Sequence, residues 1–172
     1  TELERRNQEL NRTISKLNLT SEEVQSKNRE LEFLASHDPL TLLLNRRALN
    51  REFERLFAVA QKHGRELACI MCVIDHFKLV NDRYGHASGD RVIRMVAALL
   101  GKNFREMDLI GRYGGEEFCL LLPDSDGPEA CHLAERLRRA VDDAPLLEPH
   151  GAEKVCLTIS IGIATVAPQD NL

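Results

Sequence analysis

The densest potential for chemistry lies in seven consecutive residues, Arg112-Tyr113-Gly114-Gly115-Glu116-Glu117-Phe118. Apolar residues flank them, Leu109 and Ile110 before and Cys119 to Leu122 after. Two strand-like runs joined by Gly-Gly predict a tight two-residue hairpin, because glycine tolerates the positive φ that such turns need. Past the turn, the adjacent carboxylates of Glu116 and Glu117 can hold a divalent cation and its phosphates, and the glycines let a ligand approach the backbone. Taken alone, these residues read more plainly as a surface hairpin with a solvated Glu pair. A second polar group comes earlier in the chain: Asp75-His76-Phe77-Lys78, Asn81-Asp82, Gly85-His86 and Gly89-Asp90. It reads as a loop-rich region between a strand and a helix from about Asp90 to Phe104. Ligands in sheet-based folds commonly sit at such strand ends.

The elements that position these groups follow from periodicity. Leu3, Leu10, Leu17, Val24 and Leu31 recur at heptad spacing, with Asn7, Ile14, Ser21, Asn28 and Ala35 at the paired seam position. Residues 1–35 therefore predict a coiled-coil stalk helix, and asparagine in the seam favours a parallel two-stranded register while weakening it. A weak homodimer of this kind is also a surface that a regulatory protein can tighten. A single helix packed on its own domain or on another protein is the alternative. Asp38-Pro39 ends the helix, since proline disfavours helix in the residue before it.

Beyond that break, Asn45 to about His63 predicts a helix with Leu49, Phe53, Leu56, Phe57 and Ala60 on one face and Gly64 as its stop. Leu67 to Ile74 is a continuous apolar run, as expected of a central strand buried on both faces. A further helix is expected from about Pro128 to Val141, a loop from Ala144 to Lys154 and a strand from Val155 to Val166. The order predicts residues 36–172 to be an α/β (α+β) sandwich with a mixed, mainly antiparallel sheet flanked by helices.

A chain of 172 residues suits one domain plus an appendage. Its net charge of −4 argues against a general nucleic-acid binder. Nothing in it has membrane-spanning length or the form of a signal peptide, so a cytoplasmic segment is expected. The 5 cysteines are an odd count in apolar settings, which predicts reduced core thiols. Cys69-Ile-Met-Cys72 has CxxC spacing, but on a strand its cysteines point to opposite faces, and no second pair completes a zinc site.

The signature Arg112 to Phe118 resembles that of the GGDEF family of bacterial diguanylate cyclases, in its GGEEF form. Asp38-Pro39-Leu40-Thr41 with Asn45-Arg46-Arg47 matches the family's opening motif. Asp75 to Asp90 matches its nucleotide loop in order and spacing, and Ser160-Ile161-Gly162-Ile163-Ala164 matches its late strand. The resemblance covers about residues 36 to 166 and implies a fold like the polymerase palm and nucleotide cyclases. It implies a homodimer that condenses two GTP into cyclic di-GMP and two pyrophosphates, with Mg²⁺ or Mn²⁺ as cofactor.

Carried over by position, Asn81 and Asp90 contact the guanine edge, and the backbone of His76, Phe77 and Lys78 lies against the phosphates. Gly114 and Gly115 admit the nucleotide. Glu116 and Glu117 are catalytic and bind metal together with Asp75 and the Ile74 carbonyl. Arg105-Glu106-Met107-Asp108 matches the family's RxxD inhibitory site for cyclic di-GMP. The plainer reading of Asn81 and Asp90 is a loop-capping side chain and a helix N-cap.

The chain departs from the family at Val73, where the first Asp of Asp-x-Asp is expected, and at Leu42, where glycine is common. The family's last helix, with its phosphate-contacting Lys and Arg, is expected to lie beyond a trimmed end. A degenerate domain that binds GTP or cyclic di-GMP as a receptor is the alternative function, and a coiled-coil scaffold is the third.

Overall fold

The computed structural model describes residues 2–102, 104–144, 146–147, 154–155 and 157–166. The chain divides into two compact units, Thr1–Ser36 and His37–Leu172. The first is the helix α1 (Glu2–Ser36). Its heptad residues lie on the surface, with Leu10 57% and Leu17 63% exposed.

The second unit runs β1 (Leu44–Asn45), α2 (Arg46–His63), β2 (Leu67–Ile74), α3 (Phe77–Tyr84), α4 (His86–Lys102), β3 (Leu109–Arg112), β4 (Glu117–Pro123), α5 (Gly127–Asp142), β5 (Leu146–Leu147), β6 (Lys154–Val155) and β7 (Ile159–Val166). Five strands form one sheet in the order β1-β3-β4-β2-β7. All its pairings are antiparallel except β1 with β3. This is the mixed, mainly antiparallel sandwich expected.

Local sequence sets the helix ends. The Asn45 side chain accepts from the Ala48 amide at 2.9 Å and starts α2. Gly64, in the left-handed region at φ 61°, ends it. The Asp126 carboxylate caps α5 through the Glu129 amide at 2.7 Å. β2 is apolar throughout because both of its faces are covered. One face, with Ile70, Cys72 and Ile74, joins the core made by α3, α4 and α5. The other, with Cys69 and Met71, packs in a smaller cluster with Leu49 of α2.

Several expectations need correction. The segment after Asp75 is helical: α3 occupies Phe77–Tyr84 and α4 begins at His86. Asn81 is therefore a helix residue, and Asp90 lies inside α4 instead of capping it. Lys78, Asp82 and Arg83 are exposed, while Phe77 and Val80 are buried. That i, i+3 spacing was the helical signal. Gly85, at φ 79°, makes the break between the two helices.

The hairpin is not a two-residue Gly-Gly turn, because strand pairing stops at Arg112 and resumes at Glu117. Neither Gly114 nor Gly115 has positive φ. The late strand is divided into β6 and β7, and β5 pairs with β6 where a loop was expected. Cys131 is exposed on α5, unlike the core thiols Cys72 and Cys119. Cys156 lies outside the described residues. Among the described residues, no helix is long and apolar enough to cross a membrane.

Candidate nucleotide site

The signature loop is fixed by a single guanidinium. Arg112 Nε donates to the Gly114 carbonyl at 3.2 Å and another nitrogen donates to Gly115 O at 2.7 Å. The same side chain reaches both carboxylate oxygens of Asp38 at 3.2 Å. Asp38 in turn accepts from the Thr41 amide at 2.9 Å and from its hydroxyl at 2.8 Å. Burial pushes the Asp38 carboxyl up, but the Thr41 and Arg112 bonds outweigh it and hold it below its ordinary range. Thus the opening motif and the signature, far apart in sequence, brace one another.

The loop is also tied to the end of β2. The Ile74 amide donates to Glu116 O at 3.1 Å. Tyr113 N and Gly114 N both donate to Glu117 O, at 2.8 and 3.2 Å. The Glu117 carboxylate folds over Gly114, so that a Cβ at Gly114 would overlap its Oε2. That close approach explains glycine there, while a Cβ at Gly115 would meet open space. Glu116 and Glu117 are both half-buried at the mouth of the loop.

Asp75 turns the other way, toward β7. Its two carboxylate oxygens accept from the Thr158 and Ser160 hydroxyls, each at 2.7 Å. Those bonds, Ser160 foremost, lower its pKa against the opposing effect of burial. Asp75 thus sits across β2 from the Glu116-Glu117 side, a separation that no local pattern encodes.

Past Asp75, His76 takes up the left-handed region at φ 55° and opens α3. The first amides of a helix have no intrahelical acceptor and suit an anion. Asn81 lies so close to the Gly89 backbone that a Cβ there would overlap its Oδ1. This brings Asn81 of α3 beside Asp90 of α4, the half-buried residue that follows Gly89.

Hard oxygen donors, the Ile74 carbonyl and the two glutamates, gather at the junction of β2 and the signature loop. Among the described residues, no group of three or more His, Cys, Asp or Glu is arranged to hold a metal. A carbonyl and one or two carboxylates are donors of the kind that suit a hard divalent cation, whose shell water and substrate phosphates complete.

A second cavity, of about 250 Å³, lies at the opposite end of β3 and β4. Arg105 and Asp108 line it together with Glu129, His132 and Arg136 of α5. The Arg105 amide donates to Asp108 Oδ2 at 2.9 Å, and Asp108 Oδ1 is buried without a partner. His132 and Arg136 went unnoticed in the sequence because their spacing on α5 reads as an ordinary solvated face.

A profile described as the diguanylate cyclase GGDEF domain matches residues 35–172. The chain belongs to the GGDEF family. Its GGDEF domain is 41% identical over 138 residues to the response regulator PleD of Caulobacter vibrioides, covering 80% of this chain and 30% of PleD. It is 44% identical over 139 residues to the probable diguanylate cyclase DgcT of Escherichia coli, again 80% of this chain and 30% of that protein. The chain thus spans about 30% of the length of these curated relatives.

Among solved structures, the coiled coil and GGDEF domain of DgcB from Caulobacter crescentus, in complex with c-di-GMP, is similar with a TM-score of 0.88 at 30% identity. The match covers 94% of this chain and 85% of that one. Diguanylate cyclase SiaD of Pseudomonas aeruginosa, in complex with its activator SiaC, matches with a TM-score of 0.73 at 35% identity, over 99% and 66% of the two chains.

Proposed function

We propose that this GGDEF domain is the catalytic module of a diguanylate cyclase, joining two GTP into cyclic di-GMP with release of two pyrophosphates. The observation that carries the reading is the Ile74–Glu116 hydrogen bond, which seats the signature loop against the strand end from which α3 departs. In this reading each domain holds one GTP. Asn81 and Asp90 hydrogen-bond the guanine edge, and the first amides of α3, from His76 to Lys78, lie against the phosphates. Gly114 and Gly115 leave the backbone open to the nucleotide. Glu116 is placed to accept the 3′-hydroxyl proton, and Glu117 steadies the loop. The 3′-oxygen of one GTP bonds to the α-phosphorus of the other, and the bond to the β-phosphate oxygen breaks, releasing pyrophosphate.

Mg²⁺ or Mn²⁺, held by Glu116, Glu117 and the Ile74 carbonyl, would neutralise charge on the transferring phosphate. Asp75, fastened to Thr158 and Ser160, orients the strand end in this scheme.

Two facing domains are needed, and α1 supplies the means of pairing. Its exposed heptad seam suits a parallel homodimer whose weak seam sets how often loaded domains meet. The complex of SiaD with an activator protein supports a regulatory partner acting on this chain too. Cyclic di-GMP in the Arg105–Asp108 cavity would then act as inhibitor. The test is chromatography of the protein incubated with GTP and Mg²⁺ or Mn²⁺. Cyclic di-GMP should form, and Glu116→Ala should abolish it. Absence of product with either cation, with the protein concentrated enough to dimerise, overturns the reading. Replacing Leu10 and Leu17 by Ser should lower the specific rate most at low protein concentration.

One observation favours a second reading. Val73 occupies the ladder position opposite Glu117 and offers no ligand, so the domain could bind GTP or cyclic di-GMP as a receptor without turnover. Calorimetry showing nucleotide binding, with no product in the assay above, would select it.

A further inference from the structure

We propose that Cys69, Met71 and Cys119 form a binding site for a soft monovalent metal ion, of which Cu(I) is the type. The site lies on the sheet face opposite α3, α4 and α5, beneath α2. Cys69 and Met71 are two apart on β2 and so share that face. Met71 stands directly opposite Cys119 on β4, while Cys69 stands opposite Leu121. The two cysteines are therefore diagonal neighbours, with their sulfurs 3.6 Å apart. All three residues line one cavity of about 170 Å³ walled by Leu49 and Phe53 of α2. Apart from the Asn50 amide and the Tyr113 hydroxyl, the described lining is sulfur or hydrocarbon.

The ligand chemistry selects the ion. Two thiolates and a thioether are soft donors, which favour Cu(I) over hard cations. Zinc takes four nitrogen, sulfur or oxygen ligands, and no imidazole or carboxylate lines this cavity to complete its shell. The register also separates the site from a disulfide. Diagonal partners across an antiparallel pair lie about 7–8 Å apart at Cα, at or beyond the span of about 7 Å that a disulfide bridges without backbone movement. An ion between the sulfurs needs no such movement. On binding, the thiols release their protons to solvent and the ion keeps its oxidation state. Tyr113 belongs to both this cavity and the signature segment, so an occupied site would touch the loop that carries Glu116.

The test uses Cu(I) alone, added anaerobically against a competing chelator, with thiolate-to-copper absorption in the near ultraviolet as readout. Cys131, which is exposed on α5, and Cys156 are first replaced by Ser. The folded protein should take up one equivalent. Cys69→Ser and Cys119→Ser should each weaken binding by about 100-fold and abolish the absorption band, and Met71→Leu, which conserves volume, by about tenfold. Thermal melts without copper show which variants fold, and Met71→Leu keeps the test decisive if a serine variant does not. Equal uptake by wild type and all three variants overturns the proposal. So does rapid conversion of the pair to a disulfide by diamide in a protein that binds Cu(I) no better than Cys69→Ser.

Discussion

Val73 stands directly opposite Glu117 in the β2–β4 ladder, half-buried, where the signature loop enters β4. A carboxylate at position 73 would meet Glu117 across the strands. Like charges so placed repel, and a dication between them reverses the sign. Val73→Asp is therefore expected to lower the melting temperature in chelator and to regain it on adding Mg²⁺, whereas wild type responds little. In the GTP assay the same variant should reach half-maximal rate at a lower Mg²⁺ concentration. Equal melting temperatures with and without Mg²⁺ in the variant would remove position 73 from the metal site.

Arg112 links the signature loop to Asp38, and both side chains of that pair are only 17% exposed. Removing the guanidinium leaves a largely buried carboxylate and two loop carbonyls short of a donor. Arg112→Ala should cost about 3 kcal/mol in urea unfolding, the range for breaking a buried ion pair. Arg112→Lys keeps the charge but loses the planar fork, so it should recover part of the stability and little of the loop's order. A loss below about 1 kcal/mol, the range of a surface pair, would show that the brace is not structural.

Asp75 and Asp38 give the fold a shared acid sensitivity. Ser160, Thr158 and His76 hold Asp75 below the ordinary carboxylate range, and Thr41 and Arg112 do the same for Asp38. Both groups are depressed in the folded state, so the unfolded chain binds protons first. Their contribution is complete above the unfolded value near pH 4 and is lost as pH falls through the folded pKa values. Urea midpoints should thus drop steeply below about pH 4. Replacing Ser160 by Ala and Thr158 by Val should flatten that drop, and an unchanged slope would count against the assignment.

The elements legible in the sequence were those with strong local signals. The apolar run of β2, the Asn45 and Gly64 boundaries of α2, and the inward face of α5 with Ala130, Ala134, Leu137 and Val141 all lie where patterning placed them. α3 was obscured because its polar residues, exposed Lys78, Asp82 and Arg83 with half-buried Asn81, have loop-like composition. The site residues could be located by motif, but not their partners. Arg112 with Asp38, and Asp75 with Ser160, pair across the sheet at separations that no local pattern encodes. The sulfur cluster likewise depends on strand register: Cys69 was visible beside Cys72, yet its neighbour in space is Cys119.

Leu42 carries a strain that the sequence hinted at. Its φ is 61° and its side chain is 63% exposed, so it pays for a left-handed backbone without a compensating burial. The geometry is enforced by its neighbours, with Leu42 N donating to Asp38 O and Asp38 N to Leu43 O, each at 2.8 Å. Leu42→Gly should raise stability by about 1 kcal/mol, the cost of the left-handed region for a residue with a Cβ. Leu42→Ala keeps the Cβ and should gain nothing. The comparison of urea midpoints is decisive, because a gain for alanine equal to that for glycine would mean that the exposed side chain, not the backbone, is the liability.

Arg136 reaches the Arg105–Asp108 cavity from α5, an element the RxxD motif does not contain. Asp108 Oδ1 is buried there without a partner among the described residues, an acceptor that suits a donor group of a bound ligand. A phosphate-bearing ligand there would meet guanidinium groups from both sides, and Arg is suited to that contact by its planar fork. If cyclic di-GMP is the ligand, Arg136→Ala should raise the concentration needed for half-inhibition by about tenfold or more, the equivalent of one charge-assisted hydrogen bond. Arg105→Ala should do the same. The initial rate, before product accumulates, should be unchanged in both variants, because neither residue lies at the signature loop. Inhibition that survives the loss of both arginines would move the product site away from this cavity.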